Sequence, residues 1–90
     1  MPHFILLRDR EGVVGIWTTD DGVTATRWGL ELGLTYPGCG VVIRRAASFA
    51  AFAATEPGLD FTGHAAESLD GRSGPKSNRH AADAPLMAAG

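Results

Sequence analysis

The large apolar residues of this 90-residue chain stop almost completely at Phe61. Of 26 large apolar or aromatic-type side chains (Val, Ile, Leu, Met, Phe, Trp, Tyr, Cys), 23 lie in residues 1–61, with all seven aromatics among them. Only Leu69, Leu86 and Met87 follow. A segment without apolar surface to bury cannot offset the entropy of ordering its backbone. The break therefore predicts one small folding unit over 1–61 and a flexible, low-complexity tail over 62–90, with a weak helical turn around His64–Leu69. The tail's Gly71-Arg72-Ser73-Gly74-Pro75-Lys76-Ser77-Asn78 run shows the change of composition most clearly.

One unit of this size has a marginal core. A domain of roughly 60 residues buries only ~60% of the surface its unfolded chain exposes. Below ~70–80 residues a lone core rarely supplies more than ~3–5 kcal/mol. Cys39 is the single cysteine, which excludes an internal disulfide as a staple. A partner or a self-association surface is the natural further source of stability.

The formal charge is −2. Residues 1–61 carry five Arg against seven Asp and Glu, and residues 62–90 carry three basic against three acidic groups. Neither part offers the basic stripe that neutralises phosphates, so nucleic acid is disfavoured as a partner. Arg44-Arg45 reads as a solvated strand end. Phe4-Ile5-Leu6-Leu7 is too short for a signal sequence and runs into Arg8-Asp9-Arg10-Glu11. No stretch approaches the ~18 apolar residues of a membrane span. The expectation is a cytoplasmic protein with no membrane contact and a reduced thiol. Fourteen Ala, twelve Gly and seven Arg beside one Lys point to a GC-rich bacterial or phage genome.

His3 to Arg8 reads as a first strand and Val13 to Thr18 as a second, joined as a hairpin through the charged turn between them. Thr18-Thr19-Asp20-Asp21 reads either as a helix cap or as a turn through Asp21-Gly22. The next segment carries two signals. Trp28, Leu30, Leu32, Leu34 and Tyr36 alternate with small or polar residues, a strand period. Val23, Leu30 and Leu34 also share one helical face, with Ala25, Trp28 and Leu32 on the other, and Tyr36-Pro37-Gly38 resembles a helix stop. A helix over about 20–35 is the preferred reading. Gly40 to Arg45 reads as a strand, and 46–55 as a short alanine-rich helix with Phe49, Phe52 and Ala53 on one face. Glu56-Pro57-Gly58 stops it.

Chemical motifs are weak throughout. The possible metal ligands His3, Cys39, His64 and His80 are scattered, without the paired spacing of a zinc site, and read as isolated side chains. Cys39, in Pro37-Gly38-Cys39-Gly40, lacks a histidine signature beside it and reads as a small turn residue. Gly12 and Gly15, like Gly38 and Gly40, belong to neither a phosphate loop nor a dinucleotide fingerprint. Asp20-Asp21 reads as a cap or turn rather than as a catalytic carboxylate pair. The chain is expected not to be an enzyme and to hold no cofactor and no metal.

The fold class expected is α+β. A β-hairpin, a helix, a returning strand and a short second helix would build a three-stranded antiparallel sheet covered on one face. A four-stranded meander plus one helix is the alternative. Phe4, Leu6, Val14, Ile16, Leu30, Leu34, Val42, Phe49 and Phe52 are the expected core. Two tryptophans are many for so small a core, and Trp is enriched at binding hot spots. Trp17, Trp28, Tyr36 and Phe61 are therefore the candidate partner-binding residues. The functional expectation is a small protein–protein interaction module, with a homo-oligomer as one form of it. A phage- or mobile-element-encoded inhibitor of the anti-CRISPR or anti-defence kind fits this description, as does an antitoxin whose tail folds on its toxin. A nucleic-acid-associated accessory protein and a small ligand-binding protein or enzyme using Cys39 are the alternatives.

Overall fold

A computed structural model describes residues 1–69 of the chain. Within them the fold is α+β: four strands form one mixed sheet, with two helices. Strand β1 (His3–Asp9) and strand β2 (Gly12–Thr19) form the expected hairpin. The Asp9 carboxylate closes its turn by accepting from the backbone N–H of Glu11 at 2.8 Å and of Gly12 at 3.2 Å. Gly12 has φ 128°, a conformation that costs a residue without Cβ little. Helix α1 (Gly22–Thr35) follows, then strand β3 (Gly40–Arg45), helix α2 (Phe49–Ala53) and strand β4 (Glu67–Ser68).

The strand order is β3-β1-β2-β4. β3 pairs antiparallel with β1, with Ile5 opposite Ile43 and Leu6 opposite Val42. β4 pairs parallel with β2, placing Glu67 beside Trp17 and Ser68 beside Thr18. The next backbone N–H, that of Leu69, donates to Thr18 O at 2.9 Å. Glu67 to Leu69 thus runs along a sheet edge, within the segment where a helical turn was expected, and His64 N donates to Phe61 O at 3.0 Å ahead of it. β4 lies past Phe61, and its addition turns the three-stranded antiparallel sheet of the sequence reading into a four-stranded mixed one. The remainder of the expected tail, 70–90, lies outside the described residues.

β1 is central, and Phe4, Ile5, Leu6 and Leu7 are all buried. Successive side chains of a strand point to opposite faces, so a continuous apolar run requires cover on both. That cover exists. Ile5, Leu7, Val14 and Trp17 pack beneath Ala25, Trp28 and Leu32 of α1, with Leu69 beside them. Phe4, Leu6, Val13 and Ile16 face the other way, onto Ala46 and Phe52 with Phe49, Leu59 and Phe61 around them. Phe4 stacks on Phe52 at 5.1 Å between centroids, and Phe61 meets Phe49 edge-on at 5.9 Å. The expectation of a sheet covered on one face is corrected by this second layer, which a five-residue helix and the loop after it supply.

A register shift between Leu7 and Arg8 decides which β2 residue faces which layer. Leu7 pairs with Gly15 and Arg8 with Val13, leaving Val14 as an extra residue of β2. Such a bulge re-aims side chains. Val14 consequently joins the α1 layer, and Ile16 stays with Phe4 and Leu6.

Candidate functional site

α1 begins where Asp21 captures free N–H groups of the first turn. Its carboxylate accepts from Val23 N at 3.2 Å and Thr24 N at 3.3 Å, and from the Thr24 hydroxyl at 2.6 Å. The hydroxyl bond first, then the Val23 amide, hold this carboxyl below its ordinary value of 3.8. Of the two readings of Asp20-Asp21, the cap is the one realised. The helix ends with Tyr36 N donating to Leu32 O at 2.9 Å, just before Pro37-Gly38.

The phase of the helix is set by Ala25, Trp28, Gly29 and Leu32, the buried residues of α1. Gly29 permits the approach: a Cβ there would collide with Ile43 Cδ1 on β3. Residues rotate by about 100° each around a helix. Val23, Arg27, Leu30 and Leu34, at spacings of four, three and four, therefore share the face opposite the core. Val23 is 76% exposed, Leu30 66% and Leu34 83%. This corrects two expected core positions, Leu30 and Leu34. Both faces of α1 are apolar, and the sheet accepts the face carrying Trp28, the larger side chain, and Gly29, the smaller. A groove lined by Asp21, Gly22, Val23, Thr26, Arg27 and Leu30 runs along the start of the outer face.

The expected binding residues lie elsewhere. Trp17 is 0% exposed and Trp28 5%, both inside the cluster under α1. The Trp17 indole Nε1 is buried without a hydrogen-bond partner among the described residues. Tyr36 is half-buried against the same cluster, whereas Phe61 belongs to the phenylalanine layer beyond the sheet. The four residues do not share a surface, and the tryptophans present almost no area to a partner.

The remaining chemistry-bearing residues are dispersed. Cys39 is a half-buried free thiol whose backbone N–H donates to Tyr36 O at 3.0 Å, beside a shallow depression bounded by Asp9, Arg10, Glu11 and Gly38. A second depression joins the hairpin turn to Asp60, Thr62 and His64, with both signs of charge on its walls. Asp60 there accepts from Thr62 N at 2.9 Å, and bonding to Thr62 lowers its carboxyl below the ordinary value. His3 sits against Gly22 at the start of α1, far in sequence from His64, and His80 lies outside the described residues. Among the described residues no three His, Cys, Asp or Glu side chains converge. Arg44 is tied to Glu56 at 3.2 Å, leaving Arg45 exposed at the end of β3. No described helix is long and apolar enough to cross a membrane. No protein-family model matches the chain, and no curated protein or solved structure is significantly similar to it.

Proposed function

We propose that this chain is a non-catalytic protein–protein interaction module whose contact surface is the outer face of α1. One observation carries the reading: Val23, Leu30 and Leu34 stand 66–83% exposed on a helix whose opposite face already fills the core. Burying a Leu or Val side chain fully is worth roughly 1.5–3 kcal/mol relative to leaving it in water. Three of them in one stripe are a large stabilisation left unused by the fold. An amphipathic helix with anchors at such spacings is the form that docks into an apolar groove or against another helix. Surface occupancy of this kind is how a small inhibitor carried by a phage or mobile element, or an antitoxin, acts, and we assign the chain to that class of role.

The test is affinity capture of the tagged full-length chain from its native host, in parallel with a Leu30→Asp/Leu34→Asp variant. The expected result is a stoichiometric protein recovered by the native chain and lost by the variant. With cross-linking before lysis, equal recovery by both places the contact elsewhere, and recovery of no protein by either, a second copy of the chain included, overturns the proposal.

A further inference from the structure

The stripe on α1 is self-complementary, and we infer that its occupant is a second copy of this chain, docked with the two α1 helices antiparallel. The inference rests on the outer face of α1 being the contact surface and goes further by naming what covers it.

The spacing is the first argument. Val23, Arg27, Leu30 and Leu34 follow one another at four, three and four residues, a sequence that reads the same in both directions. Alternating threes and fours keep a seam on one side of a helix and are the pattern by which two helices pack at a shallow angle. A two-fold axis between residues 28 and 29 sets Val23 of one copy against Leu34 of the other, and Arg27 against Leu30. Both apolar ends of the stripe are thereby matched with apolar ends.

Charge is the second argument. Arg27 and Glu31 lie on the same flank of the helix, one turn apart. A two-fold axis perpendicular to both helices preserves that flank, so Arg27 of each copy falls beside Glu31 of the other. Two opposite-charge pairs form, offset by about 1.5 Å along the axis, closer than the about 4.5 Å offset between the two Arg27 residues. The other flank carries Thr26 and Gly33, and a Cβ at Gly33 would meet nothing within 4 Å, so the backbones can come close there. The antiparallel pairing also opposes the two helix dipoles.

Area sets the strength. Fourteen residues make a helix about 21 Å long at 1.5 Å per residue. A single helix pair of that length buries less than the ~1,200 Å² at which stable interfaces begin. The dimer is accordingly weak and dissociates on dilution.

Sedimentation equilibrium of the full-length chain from about 1 μM to 1 mM is the test. The expected result is a reversible monomer–dimer equilibrium. Leu30→Asp and Leu34→Asp should each weaken it about tenfold or more, with circular dichroism unchanged. Arg27→Glu should weaken it, and Arg27→Glu combined with Glu31→Arg should restore it. Geometry is read by disulfide trapping in a Cys39→Ser background. Chains with Val23→Cys mixed with chains with Leu34→Cys should form a mixed covalent dimer. Neither alone should, because the two copies of either position lie about 16 Å apart in this arrangement, beyond the ~7 Å limit between bridged Cα atoms. A monomer at every concentration overturns the inference while leaving a different partner for the stripe to the capture experiment. A dimer indifferent to Leu30→Asp and Leu34→Asp, or one trapped by Val23→Cys alone, also overturns it.

Discussion

The two faces of α1 both carry large apolar side chains, the outer one with Arg27 among them, and have opposite fates. The inner face offers Ala25, Trp28 and Leu32, and the outer face Val23, Leu30 and Leu34. Hydrophobicity alone does not choose between them. Shape does, because the inner face combines the bulk of Trp28 with the absence of a side chain at Gly29. That pair lets the helix settle over Ile5, Leu7, Val14 and Trp17 while clearing Ile43. The outer face sets the charged Arg27 between Val23 and Leu30, and burying that charge against the sheet would be costly. What the difference teaches is that an apolar stripe is a request for a neighbour, and a small sheet can answer only one such request per helix.

The sharpest way to break this comparison is to remove the inner anchor. Trp28→Ala should cost about 3–5 kcal/mol, the range for large-to-small changes in a packed core. That is comparable to everything a core of this size supplies. The expected result is loss of the cooperative thermal transition, followed by circular dichroism. A folded Trp28→Ala chain would mean that the inner face does not hold the helix.

The cap tests the orientation of the same helix and should have a smaller effect. Asp21→Ala removes the acceptor for Val23 N and Thr24 N and should lower the melting midpoint, with fraying at the start of α1 seen by hydrogen exchange. The carboxyl is depressed in the folded state, so its contribution is fully present above the unfolded value near 3.8 and is lost as pH falls through the lower folded value. The native chain should therefore lose more stability on acidification below pH 4 than the Asp21→Ala chain does. Identical acid profiles would remove the cap from the account.

Two substitutions on the outer side sharpen the contrast. Gly33→Ala places a methyl in open space within the helix of the monomer and in dilute solution should stabilise by up to about 1 kcal/mol, measured by urea titration. Destabilisation there would mean that Gly33 is already against a neighbour in solution. The smallest effect belongs to Leu34→Gln. In dilute solution it should change unfolding stability by less than about 0.5 kcal/mol, although Leu34 is as large a hydrocarbon as the buried Leu32. A loss of several times that size would place Leu34 in a core.

Much of the fold was legible in the residues. The hairpin follows from two apolar runs flanking a charged turn, whereas Asp21 reads either as a cap or as a turn and the structure realises the cap. β3 follows from Val41-Val42-Ile43, and α2 from an alanine-rich run with Phe49, Phe52 and Ala53 on one face. These are local signals, carried by side chains acting on their own or adjacent backbone. α2 is shorter than the expected 46–55, because Ser48 starts it later and the turn at Thr55 and Glu56 ends it sooner.

What the sequence determined by itself, then, is the hairpin, β3, a short α2 and the places where the chain turns, with α1 preferred over a strand and β4 not read. Local rules suffice for that: β-branching, capping oxygens, proline and glycine act over a few residues. The tertiary structure alone decided three further matters. It chose which face of α1 meets the sheet, because only the assembled sheet presents Ile43 opposite Gly29. It split Val14 from Ile16, because the bulge exists only against the register of β1. It also set Glu67-Ser68 beside Trp17-Thr18, a pairing across fifty residues that no local propensity encodes. The exposed stripe of Val23, Leu30 and Leu34 belongs with these. Its spacing could be read from the residues, but its exposure follows from a competition between two faces that only three-dimensional packing resolves.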